Sequence, residues 1–243
     1  MGVVERDDVL SVLSVRPSGD GFTGSNLDHP STRVFGGQVL AQCVAALAAS
    51  SPDKQLRSLH VAFGREGDLA QDVQYEARCV KPGRTFETWS VRAHQGDATI
   101  AHALASMSTD NGEFDFSVDD APRPAPDACE AVDLQLVPWE TRACPGHQLS
   151  VRDAAPGEYA FWMRTDPELE GSRAQAALAY VSDLVLVATA LLPISGWSID
   201  DAHHDLVTAV TTHTIWFHRP VAPDEWMCYD QHVRSVTAVT RSW

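Results

Sequence analysis

Basic residues are scarce in this 243-residue chain, which has 18 lysines and arginines against 33 aspartates and glutamates. The resulting net charge of -15 repels a phosphate backbone, so we expect no nucleic-acid partner. A few arginines near predicted strand and helix ends can still hold a small anion, or else are exposed surface charges. These arginines are Arg33, Arg57, Arg65, Arg84 and Arg219.

Paired cysteines are absent: the chain has five, an odd number, and no two are spaced as in a zinc motif. A disulfide framework is therefore not expected, and the cysteines are predicted to be reduced packing residues. Neither the adjacent His203 and His204 nor the pair His213 and His218 belongs to an HExxH motif. We expect neither a metal nor another cofactor.

Long apolar runs are missing, since none reaches the roughly 18 residues of a membrane span. The nearest candidate, residues 184–194, is shorter and follows Asp183 directly. Charged residues at positions 5–8 interrupt any apolar signal-peptide segment near the start of the chain. The sequence therefore predicts no membrane span and a cytoplasmic location.

An imperfect repeat organises the rest of the chain. The segment LHVAFGREGDLAQDVQYEA around Phe63 matches HTIWFHRPVAPDEWMCYDQ around Phe217 at one constant offset. The matched pairs are Phe63 with Phe217, Arg65 with Arg219, Tyr75 with Tyr229 and Glu76 with Asp230. Residues 1–115 are predicted to form one unit, 116–148 a Pro- and Asp-rich linker, and 149–243 a second unit that lacks its final strands.

Each unit is predicted to combine one helix with antiparallel strands. Residues 39–49 are apolar on nearly every side, as expected of a helix buried all round, and residues 174–192 predict a second helix of about five turns. The predicted strands are 57–63, 73–80, 85–93 and 98–107 in the first unit, and 159–164, 207–219 and 226–233 in the second. This pattern predicts an α+β fold in which a sheet wraps each helix.

Asp183 is the one charged residue between Arg173 and Asp200, in the middle of the apolar second helix. Burying an unpaired carboxylate costs several kcal/mol, so partners or a wet cavity must receive it. Two interpretations stay open: a structural carboxylate that caps nearby backbone, and a general base that orients water.

Two glycines open the first helix, in the order Gly36, Gly37, Gln38. Glycine lets another group approach the backbone closely, and the free N–H groups at a helix start can polarise a carbonyl oxygen or hold an anion. We therefore regard this opening as a candidate binding site.

Four motifs resemble one family, the type II acyl-CoA thioesterases, which are double hot-dog proteins. The motifs are RVFGGQVLAQ (33–42), LRSLHVAFGREGD (56–68), YVSDL (180–184) and HTIWFHRPVAPDEW (213–226). The resemblance implies hydrolysis of an acyl-CoA thioester to free fatty acid and CoA, without a metal or a covalent intermediate. It also implies that an Asp on the second helix, a Thr or Ser on the following strand and a Gln on the last strand together activate water.

Transferred to this chain, the resemblance assigns the catalytic Asp to Asp183. The family's hydroxyl position is occupied by Val210, whose side chain cannot form a hydrogen bond. Thr212 lies on the same strand face as Val210 and is the predicted hydroxyl, while Thr211 would serve only if a bulge shifted the register. The family's Gln has no counterpart, because the sequence after Tyr229 loses the family pattern.

The predicted substrate-binding residues combine the helix start, a strand histidine and a strand-end arginine. His60 occupies a position where family members keep a His, although a histidine on a strand face can also be purely structural. These residues are Gly36, Gly37, Gln38, His60 and Arg219. An alternative function is a non-catalytic module that binds acyl-CoA or an acyl chain. The expected open sheet edge and the family resemblance together predict a homo-oligomer.

Overall fold

The computed structural model describes residues 4–27, 33–109, 123–146, 148–201, 206, 208–222 and 224–237. The helices are α1 (Arg6–Val12), α2 (Gly36–Ser50), α3 (Gly171–Val181) and α4 (Leu186–Leu191), with short 3-10 turns at Pro126–Ala128 and Ile199–Asp201. The strands of the first half are β1 (Arg16–Ser18), β2 (Gly21–Gly24), β3 (Gln55–Phe63), β4 (Val73–Lys81), β5 (Phe86–Gln95) and β6 (Ala98–Ser108). Those of the second half are β7 (Glu130–Ala131), β8 (Glu140–Ala143), β9 (Glu158–Arg164), β10 (Thr212–Trp216) and β11 (Met227–His232).

Helix α2 forms the centre of the first half. Its residues from Gly37 to Leu47 are buried except Ala45, so the helix is enclosed on all sides, as the apolar pattern of residues 39–49 predicts. Strands β3, β4 and β5 all contact it. The predicted α+β plan, with a sheet wrapped around a helix, is therefore confirmed.

A seven-stranded antiparallel sheet surrounds α2 in the order β1-β2-β4-β5-β6-β3-β10. In β3, Leu59 and Val61 are buried while His60 is exposed, which gives the strand one face toward the core and one toward solvent. Strand β10, from the second half of the chain, pairs with β3 and places Thr214 opposite His60. The two halves therefore share one sheet.

The remaining strands form a four-stranded sheet in the order β11-β9-β8-β7. Strands β7 and β8 lie within residues 116–148, the predicted linker, and pair with each other and with β9. With two and four residues they are too short to show a period-two pattern, which is why the sequence did not predict them. The proposed division into two units and a linker remains a prediction.

The second helix is not continuous, which corrects the prediction of one helix over residues 174–192. Helix α3 ends at Val181, a turn occupies residues 182–185, and α4 begins at Leu186. Val185 has a φ of 54°, a left-handed conformation that is strained for a β-branched residue. The turn holds Asp183 between the two helices.

Residues Gly171–Leu191 have a mean hydropathy of 1.6 and the length of a membrane span. Most of this segment is buried inside the fold, and α3 packs against α2. The turn at residues 182–185 also interrupts it. These features are typical of a core helix.

Candidate active site

Asp183 is buried, with a side chain 5% exposed. Its Oδ1 atom has no hydrogen-bond partner among the described residues. A buried oxygen of this kind is costly unless nearby positive charge or a bound molecule stabilises it. The carboxylate is therefore the first candidate for a reactive group.

The N-terminus of α2 faces this carboxylate. A Cβ atom at Gly36 would lie 2.6 Å from Asp183 Oδ2 and 3.5 Å from Cζ of Phe63. A side chain at this position would collide with the carboxylate, so glycine permits the close approach. Helix α2 thus directs the positive end of its dipole toward Asp183.

The first amides of α2 are available for binding. Phe35 occupies the N-cap and provides no side-chain hydrogen bond, while the N–H groups of Gln38 and Val39 donate to its carbonyl oxygen at 3.1 and 3.3 Å. The N–H groups of Gly36 and Gly37 have no acceptor among the described residues. Unpaired amides at a helix start can receive an anion or a polarised carbonyl oxygen.

Gly37 has a structural role next to this site. A Cβ atom at Gly37 would overlap the backbone carbonyl oxygen of Tyr180 and the ring of Phe35. The same two aromatic residues pack edge to face, with ring centroids 5.1 Å apart. The glycine therefore allows α2 and α3 to pack closely at the end where Asp183 lies.

His213 contacts Asp183 from strand β10. Its Nδ1 atom is 3.4 Å from Asp183 Oδ1, its Nε2 atom is 3.1 Å from Ser182 Oγ, and its side chain is 9% exposed. From the sequence, His213 is examined only as a possible metal ligand, and its contact with Asp183 is not predicted. The available signal was alternation along β10, since Ile215 and Phe217 share its face and are buried.

The structure does not bring Thr212 to Asp183, and its assignment as the active-site hydroxyl remains a prediction. Thr212 is exposed and pairs with Ala62, which is also exposed, on the face opposite to His213. Neighbouring side chains of a strand point to opposite faces, so Thr212 and His213 cannot share one site. The hydroxyl in this cluster belongs to Ser182.

Two other predicted binding residues are also placed elsewhere. The amide of Gln38 is fully buried, accepts a hydrogen bond from Leu27 N at 2.9 Å and donates to Asn26 Oδ1 at 2.8 Å, so it stabilises this loop. His60 is exposed on the outer face of β3, where its Nδ1 atom contacts the hydroxyl of Thr214. Neither side chain reaches Asp183.

Arg219 lies on the rim of a separate cavity of about 310 Å³. Leu178, Phe217 and Trp226 also line this cavity. Arg219 is six residues beyond His213, and Asp183 is not among the residues that line this cavity. Asp183 and Arg219 therefore do not line one common cavity.

The turn that carries Asp183 is held from the other side by Gln231 on β11. The side-chain amide of Gln231 donates to the Leu184 carbonyl oxygen at 2.9 Å, and its own oxygen accepts from the Thr189 hydroxyl at 2.6 Å. Gln231 thus connects the turn, α4 and the four-stranded sheet. The sequence did not identify this residue.

In the part of the chain that the structure describes, no group of three or more His, Cys, Asp or Glu side chains is placed so that it could hold a metal ion. His203 and His204 lie outside the described residues. All five cysteines are free. Burial raises the pKa of the Cys43 thiol to about 12, so this cysteine is a packing residue rather than a nucleophile.

The chain matches two sequence profiles of a single family. Residues 26–108 match the profile described as the acyl-CoA thioesterase N-terminal domain, and residues 102–238 match the C-terminal domain. The second match alone covers more than half of the chain. This chain belongs to the acyl-CoA thioesterase family. The predicted family and the predicted enzyme class, a thioester hydrolase, are confirmed.

Curated relatives agree with the profiles over most of the chain. Acyl-CoA thioesterase 2 of Haemophilus influenzae is 30% identical over 226 residues, which cover 84% of this chain and 78% of that protein. Acyl-coenzyme A thioesterase 8 of Homo sapiens is 29% identical over 252 residues, covering 91% of this chain and 77% of the relative.

Solved structures of similar proteins share the architecture. Acyl-CoA thioesterase II TesB2 from Mycobacterium marinum superposes with a TM-score of 0.78 at 27% identity, covering 94% of this chain and 87% of that chain. A hot dog fold protein from Alicyclobacillus acidocaldarius superposes with a TM-score of 0.73 at 17% identity, covering 97% and 89%. The predicted double hot-dog fold is confirmed.

Proposed function

We propose that this protein hydrolyses acyl-CoA thioesters and that Asp183 is the general base. The observation that carries the proposal is the buried carboxylate, whose Oδ1 atom has no hydrogen bond from any residue that the structure describes and whose Oδ2 atom faces the start of α2. A general base needs a lone pair that no donor of the protein occupies, and Oδ1 supplies one. The family and its named relatives support the choice of substrate class.

In the proposed reaction, Asp183 takes one proton from a water molecule while the water oxygen bonds to the thioester carbonyl carbon. The C–S bond then breaks, and the departing sulfur receives the proton that Asp183 holds. The products are a free fatty acid and CoA with a thiol, and Asp183 returns to its ionised form. No covalent bond to the protein is formed.

The amides of Gly36 and Gly37 are proposed to stabilise the carbonyl oxygen as it becomes negative. Two donors at a helix N-terminus resemble an oxyanion hole, where loss of one donor typically lowers the rate about 10²- to 10³-fold. The first of these residues, Gly36, lies next to Asp183 Oδ2. This arrangement would set the carbonyl carbon beside the water that Asp183 activates.

Arg219 is proposed to bind a phosphate of CoA rather than the reacting group. Its distance along the chain from His213 suits a long, anionic ligand, and a guanidinium binds phosphate well. His60 and the side chain of Gln38 are not part of this proposal, because their contacts engage them elsewhere.

The alternative is a module that binds acyl-CoA without hydrolysing it. Two observations favour it: Val210 stands at the family's hydroxyl position, and Thr212 faces away from the site. A base without a second group to orient water would turn over slowly, since such groups act as a unit. Binding would then persist because the α2 amides do not depend on either residue.

A thioesterase assay with a matched carboxylate control separates the two functions. The assay would follow the loss of thioester ultraviolet absorbance for acyl-CoA substrates of several chain lengths, with Asp183→Asn as the test variant and the exposed Asp53→Asn as its control. We expect hydrolysis by the wild type and the control, and a loss of about 10²- to 10⁴-fold in Asp183→Asn. Saturable acyl-CoA binding with no hydrolysis by the wild type would establish the alternative.

Location and assembly complete the proposal. Free cysteines throughout the described residues fit a reducing compartment, which supports the proposed cytoplasmic location.

Strands β10 and β11 each have one edge that pairs with no described strand, and an open edge favours pairing with another subunit. We therefore propose a homo-oligomer, which light scattering would detect.

A further inference from the structure

Ser182, His213 and Asp183 form a chain of polar contacts at the α3–α4 turn. Ser182 Oγ lies 2.8 Å from the Ala179 carbonyl oxygen and 3.1 Å from His213 Nε2, and His213 Nδ1 lies 3.4 Å from Asp183 Oδ1. Both ring nitrogens of His213 therefore have a polar neighbour. The charge of the ring depends on whether each of these nitrogens carries a proton, and the neighbouring groups determine that.

The serine hydroxyl determines which ring nitrogen carries a proton. Ser182 has one hydroxyl proton, and the Ala179 carbonyl oxygen can only accept a hydrogen bond. The proton must therefore point at Ala179, because the two oxygens would otherwise meet at 2.8 Å with no proton between them. Ser182 Oγ then accepts from His213, which places a proton on Nε2.

A neutral ring with its proton on Nε2 would present a bare Nδ1 lone pair to Asp183. An ionised carboxylate oxygen at 3.4 Å would repel that lone pair, whereas a second proton on Nδ1 turns the contact into an ion pair. Asp183 also needs a positive partner, since a buried carboxylate without one is strongly destabilising. Asp183 is the titratable group that contacts this ring within the described residues, and Val61 is its cross-strand neighbour on β3.

We infer that His213 is the counter-ion and positioning residue of Asp183, with its Nε2 proton held by Ser182 and its Nδ1 proton facing Oδ1. The 3.4 Å contact lies outside hydrogen-bond geometry, so the cationic ring stabilises the carboxylate without occupying the lone pair that a water needs. This inference rests on the proposed role of Asp183 as the base. It adds a requirement that the family resemblance did not include.

The protonation state of His213 can be measured without any turnover. In protein labelled with ¹⁵N-histidine, His213→Gln identifies the ring by the loss of one of ten histidine signals. At neutral pH we expect both His213 nitrogens to be protonated in the wild type, and Asp183→Asn to leave a neutral ring with its proton on Nε2. A neutral His213 ring in the wild type, or one protonated only on Nδ1, would overturn the inference.

Measurements of kcat and KM provide a second, independent test of the role of His213. His213→Leu is expected to lower kcat about 10- to 100-fold with KM changed less than about threefold, and His213→Asn, which keeps a donor near the Nδ1 position, is expected to recover part of the loss. His102→Gln, on an exposed position of β6, is the control and should match the wild type. Equal kcat in His213→Leu and wild type would refute the inference.

The two proposals fail in different ways. If the wild type hydrolyses no acyl-CoA, the proposed hydrolysis is wrong, and if Asp183→Asn remains fully active, the assignment of Asp183 as the base is wrong. In both cases the NMR signals still decide the charge of His213. If Asp183→Asn is inactive while His213→Leu retains full kcat, the function stands and the role of His213 is wrong. The unfolding midpoint of each variant in urea verifies that it folds.

Discussion

His60 and Thr214 lie opposite each other in the β3–β10 pairing and are 154 residues apart. The same offset relates the two copies of the sequence repeat, since it also carries Phe63 to Phe217. Antiparallel pairing of equivalent residues places an approximate two-fold axis at this pair. The equivalent strands of the two repeats therefore pair with each other at one end of the seven-stranded sheet.

The symmetry also shows why β3 does not repeat the histidine position of β10. Leu59 stands one residue before His60, as His213 stands one residue before Thr214, and Leu59 is fully buried in the core. The copy of β10 in the first half thus has leucine at the position of His213. A second pair equivalent to Asp183 and His213 therefore cannot form at the symmetric position, because leucine has no polar atom in its side chain.

Gly36→Ala should damage the site while leaving the fold intact. The added Cβ would lie 2.6 Å from Asp183 Oδ2, which is the mobile end of a side chain, so the carboxylate would rotate away. Misplacing a reacting group by about 1 Å can lower the rate about 10²-fold. We expect kcat to fall by that amount with the free energy of unfolding changed by less than about 1 kcal/mol, as measured by thioesterase assay and urea unfolding.

Gly37→Ala is the contrasting variant. Its Cβ would overlap the backbone carbonyl of Tyr180, which cannot move without separating α2 from α3. Overpacking of this kind typically costs about 1 to 3 kcal/mol. Urea unfolding should show that loss for Gly37→Ala, and equal stability of the two glycine variants would contradict the packing argument.

Gln231→Ala should loosen the turn that carries Asp183. The variant leaves the Leu184 carbonyl without its 2.9 Å donor, and an unsatisfied buried group costs about 1 to 3 kcal/mol. We expect that loss in urea unfolding together with a lower kcat. Thr189→Val removes the bond on the other side of the amide and retains the Leu184 contact, so it should lower kcat less. A larger kcat loss in Thr189→Val would show that the Leu184 bond is not the important one.

The sequence identifies Asp183 as a candidate site residue because burying a lone charge in an apolar helix is costly. The structure shows that Asp183 is a buried carboxylate beside Gly36. The break between α3 and α4 was not predictable. Residues 182–185 contain no Gly or Pro that would indicate a helix end, and a β-branched residue such as Val185 does not by itself favour a left-handed φ.

A difference of one residue separates the predicted hydroxyl from the observed contact. A strand through both residues predicts that Thr212 shares a face with Val210, but β10 begins only at Thr212, which is exposed, whereas Val210 lies before the strand and is half-buried. Which face of a strand is buried follows from its partners, and here pairing with β3 places His213 next to buried Val61. Alternation in the sequence predicts that β10 is a strand with two faces, but it does not predict which face is buried.

Gln38→Ala tests whether this amide binds substrate or holds the fold. Its oxygen accepts from Leu27 N and its nitrogen donates to Asn26, both within the loop before α2. Because the amide is fully buried, its loss should lower the free energy of unfolding by about 1 to 3 kcal/mol. KM for acyl-CoA should change less than about twofold, and a large rise in KM at unchanged stability would restore the binding role predicted from the sequence.

Glu87 gives the fold a specific dependence on acid. Its hydrogen bond from Lys54, at 2.8 Å, is the main cause that lowers the pKa of the carboxyl to about 2, and bonds from Trp89 and Ser51 add to it. A carboxyl with a lowered pKa in the folded state stabilises the fold above its unfolded pKa near 4.5, and this contribution is lost as the pH falls toward about 2.

Glu87→Gln should therefore destabilise the protein by about 1 to 2 kcal/mol at neutral pH, with solvent screening taken into account, and by progressively less at about pH 3. Urea unfolding at both pH values measures the difference, and Glu130→Gln, at an exposed position, is the control. If the difference in the free energy of unfolding between wild type and Glu87→Gln stays constant with pH, the hydrogen bonds to Glu87 do not lower the pKa of its carboxyl. The Lys54 contact would then contribute by packing rather than by charge.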